Sequence, residues 1–342
     1  MKKKVLVSLA VVGMLLAACS SNTSNKGDSK GAQSYGIVFK NTGNPMGEKQ
    51  IEGFEDAIKE AGHKSISKAP DKPTAELQIT ALQELVDQGV NGVAIAANDP
   101  DALEPVLTGA MAQDVSVVSF DSAVNSDSRS IHINQADAEG IGRVLCESVF
   151  DMADGAGDYA ILSATSTATN QNSWIAAMAD TMASDSKYAK LNLVKVAYGD
   201  DLRDKSTEET EALLQTYPNV KVIVAPSTVG LAASAKVISD KKLSDKVKVT
   251  GLGLPSEMAE YIENGVTPYM YLWNPIDIGY LTGYALMALS DGSLEGVENE
   301  TFEAGRLGEK EIRQSKDGGL EVLLGDPFRF DLDNISEWKD AF

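Results

Sequence analysis

Short runs of β-branched and apolar residues recur along this chain, each followed by a longer stretch of helical periodicity, and this alternation restricts the fold more than any single residue does. Residues 35–39 (YGIVF) precede a helical stretch at 47–61, residues 92–96 (GVAIA) precede one at 101–112, and 115–119 (VSVVS) follow. A second series starts beyond a helical stretch near Gly140, with strand-like runs at 158–162, 191–197, 220–224, 246–250 and 268–272. Strands separated by helices of this length become parallel strands with crossover connections, so the expected class is α/β with doubly wound parallel sheets. About 310 residues beyond the polar amino-terminal segment exceed what one core usually serves, which predicts two lobes.

The amino-terminal residues have a different logic. Met1 is followed by Lys2, Lys3 and Lys4, an apolar run over 5–16, and Leu16, Ala17, Ala18 and Cys19. The run is too short to span a bilayer comfortably, and small residues before a cysteine suit cleavage. Residues 1–19 therefore read as a lipoprotein signal peptide with a lipobox, leaving Cys19 as the lipidated residue whose acyl chains, palmitate among them, form a membrane anchor. Residues 20–33, rich in Ser, Asn, Gly and Lys, read as a flexible stalk. The expected location is the extracytoplasmic face of the cell membrane.

One other cysteine, Cys146, remains, so no intrachain disulfide is expected in the body. Its apolar neighbours at helical spacing predict a buried structural thiol. The formal charge is −20, and loss of the three leader lysines makes it more negative still. Such a chain is repelled by nucleic acid, which is excluded as a partner.

Lobe 1 is expected to comprise residues 34–136 plus 276–293, and lobe 2 residues 137–275 plus 294–342. The three hinge segments then fall near 134–137, 274–276 and 292–296. Ligands of open α/β sheets bind beyond the carboxyl ends of the strands. Polar residues cluster there: Lys40, Asn41 and Asn44; Asn98 and Asp99; Asp121; Asn134 and Gln135; Asn170 and Gln171; Ser227 and Thr228; Trp273 and Asn274. Asn, Asp and Ser at strand ends also cap helices and form turns, and Asp99 and Ser227, beside helix starts, are expected to be caps.

Enzyme chemistry finds no support. Residues 251–255 (GLGLP) lack the spacing and lysine of a phosphate loop, and no Gly-x-Ser-x-Gly elbow precedes a helix. His63 and His132 are the only histidines and lie at no metal-ligand spacing, so neither metal nor cofactor is expected. Asp200 and Asp201 read as a solvated helix start.

With these features in hand, the chain resembles a type 1 periplasmic binding protein, the soluble receptor of an ABC importer. Within that family it is similar to the rhamnose-binding and autoinducer-2-binding branch. The resemblance rests on residues 40–45 (KNTGNP), 97–102 (ANDPDA), 120–122 (FDS), 132–136 (HINQA), 169–174 (TNQNSW), 225–228 (APST) and 271–275 (YLWNP). Residues 164–168, 198–204 and 251–258 look most like the rhamnose receptors. Against the autoinducer-2 receptors, Lys40, Asp121, Gln171 and Pro226 match, whereas Asn170 stands for an aspartate and Thr228 for an alanine. The resemblance implies a sugar, L-rhamnose first and autoinducer-2 or another deoxysugar or pentose as the alternative, bound between the lobes of a monomer and delivered to an ABC permease. A secreted sugar-modifying enzyme is the alternative of another class.

The expected ligand set is Lys40, Asn41, Asn44, Asn98, Asp121, Asn134, Gln135, Asn170, Gln171, Pro226, Thr228, Trp273 and Asn274. Amides and carboxylates match vicinal hydroxyls, and Trp273 or Trp174 would cover the ring's apolar face. Core packing is an equal reading for Trp273 and the better one for Trp174, while Trp338 is expected to be structural.

Overall fold

In the computed structural model, which describes residues 31–342, the chain alternates between strand and helix from its first element. The expected leader, Cys19 and the first part of the expected stalk lie outside the described residues. Lobe 1 begins with β1 (Ser34–Val38), α1 (Pro45–Glu60), β2 (Lys64–Lys68), α2 (Ala75–Asp87), β3 (Gly92–Ile95), α3 (Pro100–Met111), β4 (Ser116–Phe120) and β5 (Ile131–Asn134). Lobe 2 follows with α4 (Ala138–Met152), β6 (Gly157–Ser163), α5 (Thr169–Ser184), β7 (Leu191–Tyr198), α6 (Arg203–Thr216), β8 (Val220–Ala225), α7 (Thr228–Asp240), β9 (Lys248–Gly251), α8 (Pro255–Glu263) and β10 (Tyr269–Leu272). Then come α9 (Pro275–Asp291), β11 (Thr301–Glu303), β12 (Glu309–Glu311), β13 (Arg313–Gln314), β14 (Leu320–Leu323), β15 (Phe328–Asp331) and α10 (Ile335–Trp338).

The first sheet runs β13-β14-β5-β4-β3-β1-β2, and only β13 is antiparallel to its neighbour. The second runs β7-β6-β8-β9, all parallel, and the bridge between Leu252 and Tyr271 leads on to the β10–β15 ribbon. Both sheets share one winding, in which the first strand lies inside and the chain then moves outward in either direction. The reversal leaves a crevice at the carboxyl ends of the strands. Parallel strands are covered on both faces, so β3 is buried throughout and β1 at all but its first residue.

Helix starts are set by local chemistry. Asn44, Asp99, Asp137, Ser227 and Asn274 each accept a backbone N–H with the side chain, and prolines open α1, α3 and α9. Helices α1 and α9 touch backbone to backbone: a Cβ on Gly53 would stand 1.9 Å from the Ile276 carbonyl oxygen, and one on Gly279 1.7 Å from that of Gln50. Cys146 is fully buried and donates to the Met178 carbonyl at 3.3 Å, and burial pushes its thiol pKa up to about 12.

The chain crosses between lobes after β5, after β10 and a third time at 324–327. The third crossing departs from the sequence expectation. Residues 294–342 do not pass as a block into lobe 2: β14 joins β5 as a parallel edge strand of lobe 1, and only β15 pairs with β10. The glycine-rich stretch at 292–296 is a helix-ending turn, with Gly292 at φ 79° and Gly296 at φ 75°, and the following strands stay beside lobe 1. Glycines at such a position look alike in sequence whether they serve as a cap or a hinge. The first and third crossings run together, since Leu324 and Gly325 donate backbone N–H groups to the carbonyls of Asn134 and Gln135.

Candidate functional site

Lobe 1 supplies a charged wall. Lys40 follows β1 and Asp121 follows β4, and their side chains form an ion pair at 2.9 Å with only 4% and 7% exposure. Asp121 adopts φ 57°, a left-handed conformation that Asp tolerates better than most residues. The same carboxylate accepts from Gln50 of α1 at 3.2 Å and from Asn170 of α5, in the other lobe, at 2.9 Å. Three donors thus converge on one buried carboxylate, the arrangement that burying a charge requires.

Lobe 2 supplies Asn170 and Gln171 from the first turn of α5, Pro226, Ser227 and Thr228 from the β8–α7 turn, and Trp273 after β10. Asp201 completes this wall. It is 8% exposed, adopts φ 52° and accepts from the Ser227 hydroxyl at 2.5 Å. Burial raises the pKa of its carboxyl above the usual value, opposed by the charge of Lys40 and by the Ser227 bond. Trp174 and Trp273 lie 5.8 Å apart at 59°, a tilted aromatic pair.

Together these residues bound a narrow interlobe cavity of about 30 Å³, completed by Phe39, Asn44, Met46, Leu252 and Leu272. Two buried polar atoms on its walls have no protein partner: the indole N–H of Trp273 and Oε1 of Gln171. Such atoms cost free energy unless something meets them.

Of the residues the sequence nominates, Lys40, Asn44, Asp121, Asn170, Gln171, Pro226, Thr228 and Trp273 line this cavity. Asn41, Asn98, Asn134, Gln135 and Asn274 do not. Asn98 staples loops, donating to the Lys40 carbonyl at 2.9 Å. Asn134 donates to Glu321, Asn41 to the Thr42 carbonyl, Gln135 is buried at the first crossing, and Asn274 caps α9. Sequence reasoning missed Gln50, whose mid-helix position gave no signal, and it misread Asp201. Asp200, ion-paired with Lys205, fits a solvated helix start, but Asp201 turns inward. Its place just after β7 was the available clue. Ser227, expected only as a cap, both caps α7 and lines the cavity. Trp174 is 2% exposed and also part of the wall.

The lobes also hold each other directly. The Thr167 hydroxyl donates to the Asn98 carbonyl at 2.6 Å, the Thr169 hydroxyl to the Ala123 carbonyl at 3.0 Å, and the Ser122 and Thr169 hydroxyls lie 3.1 Å apart. Neither threonine lines the narrow cavity. Among the described residues, no cluster could hold a metal ion and no helix is long and apolar enough to cross a membrane.

Comparison with known proteins adds the family. Residues 35–294 match the model for the periplasmic binding protein domain. An ABC transporter solute-binding protein from Clostridium phytofermentas, solved with bound L-rhamnose, is 48% identical over 91% of this chain and 99% of that chain, with a TM-score of 0.89. A sugar ABC transporter from Actinomyces odontolyticus is 38% identical over 90% of this chain and 97% of that one, with a TM-score of 0.70. LsrB from Clostridium saccharobutylicum, in complex with AI-2, is 21% identical over 89% and 99%, with a TM-score of 0.84, and shares the fold. The chain thus belongs to the periplasmic binding protein domain family, whose members are transporter solute-binding proteins and not enzymes.

Proposed function

We propose that this chain is the lipid-anchored extracytoplasmic receptor of an ABC sugar importer and that its ligand is L-rhamnose. The observation that carries the reading is the narrow cavity itself: the unpartnered Trp273 N–H and Gln171 Oε1 belong to the same small space as the Asp121 carboxylate. A sugar hydroxyl donates and accepts, so it can satisfy all three. Phe39, Met46, Leu252 and Leu272 supply apolar surface that suits a ring bearing a methyl group where most hexoses carry a hydroxymethyl. The 48%-identical protein with bound L-rhamnose supports the same ligand.

A ligand touching Asp121 on one side and Gln171 or Trp273 on the other favours the closed arrangement through contacts that exist only there. A permease would recognise that closed form, and the receptor would act as a monomer tethered through Cys19. Titration calorimetry of the purified mature domain with L-rhamnose should give a micromolar or tighter dissociation constant. No heat and no thermal shift would sink the ligand assignment. Replacing Cys19 by Ser should move the protein from the membrane fraction to the soluble one.

A second reading has its own support: Lys40, Asp121, Gln171 and Pro226, the residues shared with autoinducer-2 receptors, all line the cavity. Mass spectrometry of the small molecule released on denaturing the protein separates the two.

A further inference from the structure

The narrow cavity shares three of its walls, Asp121, Asn170 and Trp174, with a second and wider space of about 530 Å³. This space too lies between the lobes. The loops after β4 and β5 and the turn at 315–321 bound it from lobe 1, and the first turns of α4 and α5 bound it from lobe 2. A group held there touches both lobes, as a group in the narrow cavity does.

One wall carries a buried imidazole. His132 is 5% exposed and lines this space, and its Nδ1 lies 2.9 Å from the Ser119 hydroxyl. Burial, with the charge of Arg129, holds the ring's pKa down at about 3, so the imidazole stays neutral and offers Nε2 as a single hydrogen-bonding position. Around it stand the carboxylates of Glu104, Asp127, Asp137, Asp317 and Glu321 and the ammonium of Lys316; Asp317 is paired with Arg129, and Glu321 with Arg313 at 2.8 Å. Lys316 is itself engaged, 2.5 Å from Glu139. Neutral hydroxyls find acceptors along that wall. Trp174, 2% exposed, belongs to both walls, so one indole can border two consecutive rings.

We propose that the wider space is a second glycosyl subsite, so that the receptor takes rhamnosides, with rhamnose in the narrow cavity and a neutral sugar joined to it beside Trp174 and His132. This rests on the assignment of a rhamnose ring to the narrow cavity. The class of ligand is thereby a neutral disaccharide as well as the free monosaccharide.

The test is calorimetry with L-rhamnose and with a rhamnosyl-glucose disaccharide, on the mature domain and on Ser126→Trp, which fills the wide space at a position that does not line the narrow one. Ser315→Trp is the second blocking variant. The unsubstituted protein should bind both ligands within about tenfold of each other. Each variant should keep rhamnose affinity within about twofold and weaken the disaccharide by about thirtyfold or more. Three results overturn the subsite: rhamnose binds but the disaccharide does not, both variants bind the disaccharide unchanged, or both variants lose the two ligands in equal measure. If rhamnose itself gives no heat, it is the ligand assignment that fails, and the subsite falls with it.

Discussion

Replacing Thr167 and Thr169 together by Val should weaken every monosaccharide ligand by the same factor. The two hydroxyls make three interlobe hydrogen bonds, to the Asn98 carbonyl, the Ala123 carbonyl and the Ser122 hydroxyl. A hydrogen bond of this kind contributes about 0.5–1.5 kcal/mol net, and Thr167 is exposed, so about 2 kcal/mol for the set is a fair total. These bonds exist only when the lobes meet, so their loss lowers the closed fraction of the ligand-free protein. Apparent affinity scales with that fraction, and about 2 kcal/mol corresponds to about thirtyfold if the ligand-free protein is mostly open. If it is mostly closed, part of the loss is absorbed before affinity changes. Calorimetry gives the affinity ratio, and small-angle scattering of the ligand-free protein gives the closed fraction. Unchanged affinity together with an unchanged closed fraction refutes the reasoning, as does a factor that differs between rhamnose and a second monosaccharide.

Asp121→Ala should abolish rhamnose binding and destabilise the fold by about 3–5 kcal/mol, because Lys40 would remain buried without its ion-pair partner; denaturant titration and calorimetry read the two effects. His132, whose folded pKa is lowered to about 3, stabilises the protein above the unfolded value near 6.5, and this contribution is lost as pH falls towards the folded value. Its upper bound is about 5 kcal/mol, and His132→Gln should flatten the stability curve between those limits, as denaturant melts at a series of pH values will read. Cys146, with its thiol pKa near 12 and no exposure, should react with a thiol reagent only at the rate of unfolding; fast labelling of native protein would contradict its burial.

The α/β order was readable because most of the parallel strands carry an apolar run and five of the helices, α1, α3, α4, α7 and α9, start on a capping Asn, Asp or Ser. The same rule located Lys40, Asp121 and the Asn170–Gln171 pair at strand ends facing the crevice. It cannot tell which way a side chain turns once the strand stops. Asn44 caps α1 and still lines the cavity, whereas Asn98, equally placed, turns away to hold the Lys40 carbonyl. Asp201 faces inward because two successive residues, Asp200 and Asp201, take positive φ, a backbone choice with no signature beyond residues that tolerate it. Gln50 reaches Asp121 across 71 positions, from the middle of a helix. The third crossing was missed for a related reason: β13 and β14 are two and four residues long and find their sheet through tertiary pairing, with too little sequence for periodicity to register.

The backbone contact between α1 and α9 has a consequence for the order in which the site assembles. With Gly53 and Gly279 leaving no slack, α9 and α1 move as one piece, and the second crossing ends where α9 begins, at Pro275. Rotation of lobe 2 about Asn274 would then carry Trp273 away and leave Gln50, Lys40 and Asp121 assembled. Lobe 1 is a landing platform with its charges already set. The sugar should arrive there first at a rate insensitive to lobe 2, and substitutions at Gln171, Trp273 or Thr228 should shorten its residence without slowing its arrival.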